Sequence, residues 1–198
     1  MIPFGNQEDL PKCTETGFQL VKCPQRTWDI IQEMYRLLKL NPKKEEFKGM
    51  EEIIFGQNGQ DLFSFDQIPT IRGIIHQQLL PIHQNWSNQK LIPTWIYGIR
   101  SYNNGAQLVH HVDQLPTHHI SAIIIVDKEL NGEQDWPLDI QAHDGTWHKI
   151  YAEPGDMILY ESAICEHGRM EPFKGKFFRN FYVHYRFADY QFAAPKAE

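Results

Sequence analysis

The feature that most limits how this chain can fold is a change of period at Pro93. Before it, apolar residues recur every three to four positions. After it they alternate, and turn signals punctuate the alternation. Residues 24–40 read as a helix on Ile30, Ile31, Met34, Tyr35, Leu37 and Leu38, with Thr27 placed to cap it and Asn41-Pro42 to end it. A second helix is predicted over 69–88, where Ile71, Ile74, Ile75, Leu79, Leu80 and Ile82 are apolar and Pro81 is expected to introduce a kink. Residues 1–20 are polar and irregular, an arm that packs on something else. Residues 43–60 read as a surface connection.

Beyond Pro93, strands are predicted at 94–102, 108–113, 119–126, 138–143, 147–151, 156–160 and 176–187. Asn103-Asn104-Gly105, Asn131-Gly132, Asp144-Gly145 and Pro154-Gly155 supply the turns between them. The polar stretch 128–137 reads as a loop at the mouth of the strand-rich part. Two helices followed by a run of short strands imply an α+β chain, mainly β: a sandwich or barrel supported by N-terminal helices. No linker or repeat divides the chain, so one domain is expected over 1–198, with helical support over about 1–92 and a strand core over about 93–190.

Composition excludes some partners. A net charge of −6 provides no basic footprint for nucleic acid. No apolar run approaches the roughly 20 residues of a membrane span, and residues 1–8 lack the character of a signal peptide. Cys13, Cys23 and Cys165 make no disulfide framework. A Cys13–Cys23 bridge is conceivable, but reduced thiols in a cytoplasmic setting are the expectation.

Within the strand-rich part stands His111-Val112-Asp113. Alternate residues of a strand point the same way, so His111 and Asp113 can lean into one cavity. A second histidine from a later strand, His167, completes two imidazoles and a carboxylate, a set that leaves positions open on Fe(II). Other histidines have plainer readings. His110 points opposite to His111 and is excluded as a ligand, and His118, His119, His143, His148 and His184 read as surface or cross-strand residues. Alternation from residue 176 places Lys176, Phe178, Asn180 and Tyr182 on one face, and Arg100 and Tyr102 on one face of an earlier strand. A cation at Lys176, with the Tyr102 hydroxyl, could hold the remote carboxylate of a dicarboxylic cosubstrate. Arg100, Arg169 and Asn180 are candidates for contacting substrate. Cys165 reads as a small buried residue.

Residues 97–185 resemble the prolyl 4-hydroxylase type of Fe(II)/2-oxoglutarate-dependent dioxygenase. The matching text is Tyr-Gly-Ile-Arg-Ser-Tyr (97–102), Leu-Val-His-His-Val-Asp (108–113) and Ser-Ala-Ile-Ile-Ile-Val (121–126). It continues with Glu-Pro-Gly-Asp-Met-Ile-Leu-Tyr-Glu-Ser (153–162), Glu-His-Gly-Arg (166–169) and Lys-Gly-Lys-Phe-Phe-Arg-Asn-Phe-Tyr-Val-His-Tyr (174–185). The resemblance implies a double-stranded β-helix (jelly-roll) core that uses Fe(II), 2-oxoglutarate and O2 and releases succinate and CO2. It assigns His111, Asp113 and His167 to the metal, Lys176 to the C5 carboxylate of 2-oxoglutarate and Tyr102 to the same carboxylate. A carboxylate ligand at Asp113 implies hydroxylation over halogenation. Related chains carry Pro after His-Gly-Arg, whereas Met170 stands here with Pro172 beyond it, a departure that bears on substrate choice. The resemblance makes a prolyl residue in a protein or peptide the expected substrate. A free amino acid or other small metabolite is the alternative, and a catalytically silent jelly-roll that senses metal or ligand is a third reading.

Overall fold

The computed structural model describes residues 3–4, 7–38, 43–44, 54–55, 61–132 and 134–192. The two helical patterns become α1 (Gln25–Leu38) and α2 (Pro69–Ser87). Pro69 opens α2, where the N–H it lacks would have no partner anyway. Asn88 closes α2 in the left-handed conformation, with φ 53°. Thr27 is not a cap: it lies buried inside α1 and donates its hydroxyl to Gln78 Oε1 at 2.8 Å, tying one helix to the other. Asn41-Pro42 and most of 43–60 lie outside the described residues.

Short strands β1 (Pro3–Phe4), β2 (Phe18–Lys22), β3 (Lys43–Lys44), β4 (Ile54–Phe55), β5 (Asp61–Ser64) and β6 (Leu91–Pro93) precede the main run. That run is β7 (Gly98–Asn103), β8 (Gln107–His111), β9 (Ile120–Glu129), β10 (Leu138–Gln141), β11 (Trp147–Ile150), β12 (Asp156–Tyr160), β13 (His167–Arg169) and β14 (Phe177–Phe187). β15 (Gln191–Phe192) pairs with β1. The larger sheet has the order β2-β12-β9-β14-β7-β5-β3, with β6 also on β14, and the smaller has the order β11-β10-β13-β8-β4. The chain crosses repeatedly between two sheets, which is the jelly-roll, a mainly β architecture with its helices on one side.

Alternation builds three layers. Ala122, Ile124 and Val126 of β9, Met157 and Leu159 of β12, and Phe181, Val183 and Tyr185 of β14 pack with Ile31, Tyr35, Ile75 and Leu79 of the helices. The intervening residues Ile123, Ile125, Ile158, Tyr160, Phe178 and Tyr182 turn the other way. They meet Leu108, Leu138 and Ile140 of the smaller sheet. The larger sheet is therefore covered on both faces, which is why β9 reads as a nearly continuous apolar run.

Of the strands that no predicted range covers, β2 and β13 bear most on the core. β2 occupies the end of the arm expected to be irregular, and its backbone pairs with β12 from Tyr160↔Phe18 to Asp156↔Lys22. β13 is only His-Gly-Arg, and it exists because β10 and β8 pair with it on either side. The loop expected over 128–137 is shorter than its polar text implies. Lys128 and Glu129 belong to β9, and Trp136 is buried against Tyr102, Phe173 and Phe178. Lys128 also bonds Asp135 at 2.8 Å, so the root of this segment is fixed.

Candidate metal centre

His111 ends β8 and His167 begins β13, and the two strands pair at these residues. Asp113, just past β8, is held by its backbone N–H to the Ser162 carbonyl at 2.8 Å. One carboxylate oxygen, Asp113 Oδ1, thus lies 3.7 Å from His111 Nε2 and 3.9 Å from His167 Nε2. All three donor atoms fall within 4.8 Å of one another, the set among the described residues able to hold a metal ion.

The tautomers suit that role. His111 Nδ1 lies 2.7 Å from the Val109 carbonyl and His167 Nδ1 2.9 Å from the Cys165 carbonyl. A carbonyl only accepts, so each Nδ1 carries the proton and each Nε2 presents a lone pair toward Asp113. Burial pushes His167 down to about 4, which keeps it neutral and ligating. Burial alone would raise the Asp113 carboxyl, but the draw of the surrounding imidazoles of His111, His167, His184 and His118 on its negative charge outweighs burial and holds it well below the ordinary range. Burial would lower His111, but Asp113 raises it on balance, so a divalent cation such as Fe(II) would displace that added proton on binding; two imidazole Nε2 atoms facing an ionised carboxylate fit the metal.

The surroundings hold the ligands in place. Tyr160 donates its hydroxyl to Asp113 Oδ2 at 3.3 Å and stacks edge-on against His167. Burial, then the charge of Asp113, raises Tyr160 well above its usual value, so it stays a donor. His184 Nδ1 lies 3.8 Å from the same oxygen and 2.8 Å from Ser121 Oγ, and its ring sits 3.8 Å from that of His118. Trp95, 46% exposed, lies nearly parallel to Tyr97, and Tyr97 stacks on His118, an aromatic row leading outward from the site.

His111, Asp113 and His167 come together; of the other expected residues, Tyr102, Arg100, Arg169 and Asn180 lie around Tyr182 and Lys176 stands apart. Tyr102 is inside the jelly-roll, its hydroxyl 2.8 Å from that of Tyr182. Arg100 lies over the Tyr182 ring at 5.3 Å. Arg169 and Asn180 are both buried in the interior. Lys176 is not there: its side chain is 64% exposed and ion-paired with Glu129 at 3.2 Å. His110 faces away and stacks on Trp147, as expected of a non-ligand. Cys165 is buried, and burial followed by the charge of Glu161 pushes its thiol up to about 12, an inert sulfur. His118, His119 and His184 are buried, not at the surface; His184 is cross-strand, as expected, its Nδ1 2.8 Å from Ser121 Oγ of the paired strand β9, and His119 Nε2 lies 2.5 Å from the Leu115 carbonyl. The alternation that puts Asn180 and Tyr182 inside already extends to His184, so this residue was within reach of the sequence pattern.

The fold is that of the 2-oxoglutarate/Fe(II) oxygenases. A prolyl-4-hydroxylase from Pseudomonas putida superposes with a TM-score of 0.57 at 14% identity, over 86% of this chain and 94% of that one. A prolyl hydroxylase from Trichoplax adhaerens, solved with a hypoxia inducible factor peptide fragment, gives 0.59 at 10% identity over 85% and 83%. SnoN, a non-heme alpha ketoglutarate dependent epimerase from nogalamycin biosynthesis, gives 0.66 at 10% over 88% and 79%. No family model and no curated protein matches the sequence. Among the described residues no helix is long and apolar enough to cross a membrane.

Proposed function

We propose that this protein is an Fe(II)- and 2-oxoglutarate-dependent dioxygenase that hydroxylates a prolyl residue in a protein or peptide. The observation that carries the reading is the convergence of His111, Asp113 and His167 with both imidazoles held in the ligating tautomer. Bound Fe(II), 2-oxoglutarate and O2 would supply the oxidising chemistry and leave succinate and CO2. The chain's own part is placement. His111 and His167 offer Nε2, Asp113 offers Oδ1, and Tyr160 restrains the other carboxylate oxygen. Ile123, Ile158, Leu138 and Ile140 share an apolar core with Tyr160, whose ring meets His167, and this core would keep water from the inner side of the ligands.

Support for a prolyl peptide comes from the prolyl hydroxylases that share the fold and from the Trp95–Tyr97–His118 row, since aromatic faces commonly receive proline-containing segments. The free thiols Cys13, Cys23 and Cys165 favour a cytoplasmic setting. The test is a turnover screen with Fe(II), 2-oxoglutarate and O2 over proline-containing peptides, free amino acids and small metabolites. Succinate release must coincide with gain of one oxygen by a peptide. Oxygen gained only by a metabolite favours the small-molecule alternative, and no succinate from any mixture favours a sensor. Full Fe(II) affinity in both His111→Ala and His167→Ala would refute the ligand assignment.

A further inference from the structure

Resting on the 2-oxoglutarate reading above, we propose that the buried guanidinium of Arg169 receives the distal carboxylate of the cosubstrate. Tyr102, Tyr182 and Asn180 complete this site, and Lys176 has no part in it. Arg169 is 2% exposed, and arginine is rarely buried so fully without an anion beside it. Its contacts are all neutral. Nε donates to the Trp136 carbonyl at 3.3 Å, and the charge lies 4.9 Å from the Trp136 ring and 5.0 Å from the Phe178 ring. With the Asn180 amide turned to satisfy both its ends, its oxygen accepts from Arg169 at 3.2 Å and from the Tyr182 hydroxyl at 3.2 Å. Tyr182 in turn meets Tyr102 at 2.8 Å.

Among the described residues no carboxylate lies within ion-pairing distance of Arg169. Its outer side borders a groove of about 310 Å³ that includes Asp135, Asp139 and Glu171. Asp135 is engaged by Lys128 at 2.8 Å, and Asp139 lies 3.6 Å from His110. An isolated buried charge is costly, and the cluster beside it is rich in groups able to donate to an anion. Arg169 stands two positions after His167 on β13, a separation of roughly 7 Å along a strand. A short dicarboxylate anchored by one end at the metal has about the reach to place its other end at the guanidinium.

Lys176 offers less. Its ammonium is at the surface with Glu129, itself 44% exposed, an ion pair of small worth. The first interior residue of β14 is Phe178, whose buried ring packs on Trp136 and Phe173 and occupies the space between Lys176 and Asn180.

The test is anaerobic titration calorimetry of the Fe(II)-loaded chain with 2-oxoglutarate and with 2-oxobutyrate, which lacks the distal carboxylate. Arg169→Gln should lose roughly 30- to several-thousand-fold in 2-oxoglutarate affinity, with 2-oxobutyrate and Fe(II) binding unchanged. Lys176→Ala should bind both keto acids as the parent does. Should Arg169→Gln fail to fold, Asn180→Ala and Tyr102→Phe take its place, with a loss of about tenfold confined to 2-oxoglutarate. Undiminished 2-oxoglutarate affinity in these variants, or a selective loss in Lys176→Ala, overturns the assignment while leaving the dioxygenase reading intact. A parent chain that binds Fe(II) but neither keto acid overturns both.

Discussion

Glu161 sits one residue beyond β12 and holds the N-terminal arm against the jelly-roll. Its side chain is 1% exposed. Oε2 accepts from the Cys13 N–H at 2.8 Å, and Oε1 from the Thr14 N–H at 2.9 Å and the Thr14 hydroxyl at 2.7 Å. His143 Nε2 lies 3.1 Å from Oε1. Glu161→Gln keeps the volume and replaces one acceptor by a donor. With the new NH2 on the Oε2 side it faces the Cys13 N–H; with NH2 on the other side it faces the donors of Thr14. Each buried donor left without an acceptor costs about 1–3 kcal/mol, and the surviving bonds lose the help of the charge. The total is about 3 kcal/mol, which for a chain of this size lowers Tm by roughly 10 °C. Urea unfolding should show a lower midpoint at unchanged slope. Limited proteolysis should open new cleavage within residues 10–17. A stability change below about 0.5 kcal/mol would refute the reasoning, since surface substitutions produce as much.

Tyr160→Phe removes the hydroxyl that restrains Asp113 Oδ2, so Fe(II) affinity should fall about 10- to 100-fold with the fold intact; equal affinity by metal titration would remove Tyr160 from the support of the centre. His83, on the buried face of α2, packs against Tyr185, and burial pushes it down from 6.5 to about 4. The unfolded chain therefore takes up a proton below pH 6.5 that the folded chain refuses, and stability falls as the pH drops from about 6.5 to about 4, by about 3 kcal/mol. Urea midpoints across that window should show a shallower slope in His83→Phe, though His76 and His119, also pushed down to about 4 by burial, keep part of it; an identical slope would count against a neutral buried His83.

The sequence by itself determined the elements whose period is long and clean. The apolar positions of α1 and α2, the alternation of β12 and β14, and the His-Val-Asp at the end of β8 are all local patterns. Local geometry alone makes His111 and Asp113 neighbours. His167 lies far along the chain, and it is the pairing of β8 with β13 that brings it opposite His111. What tertiary structure decided lies where pairing or burial outweighs propensity. β2 and β13 have little strand character of their own and take it from the hydrogen bonds of β12, β10 and β8. Thr27 caps in isolation but finds Gln78 once the helices pack. The same holds for the cations. Lys176 and Arg169 read alike on paper, each a strand residue near the second histidine. Only the packing of Phe178 and Trp136 puts one in water beside Glu129 and the other in the interior beside Asn180. Whether a charge is solvated or enclosed depends on what the rest of the chain places around it, and side-chain periodicity carries no record of that.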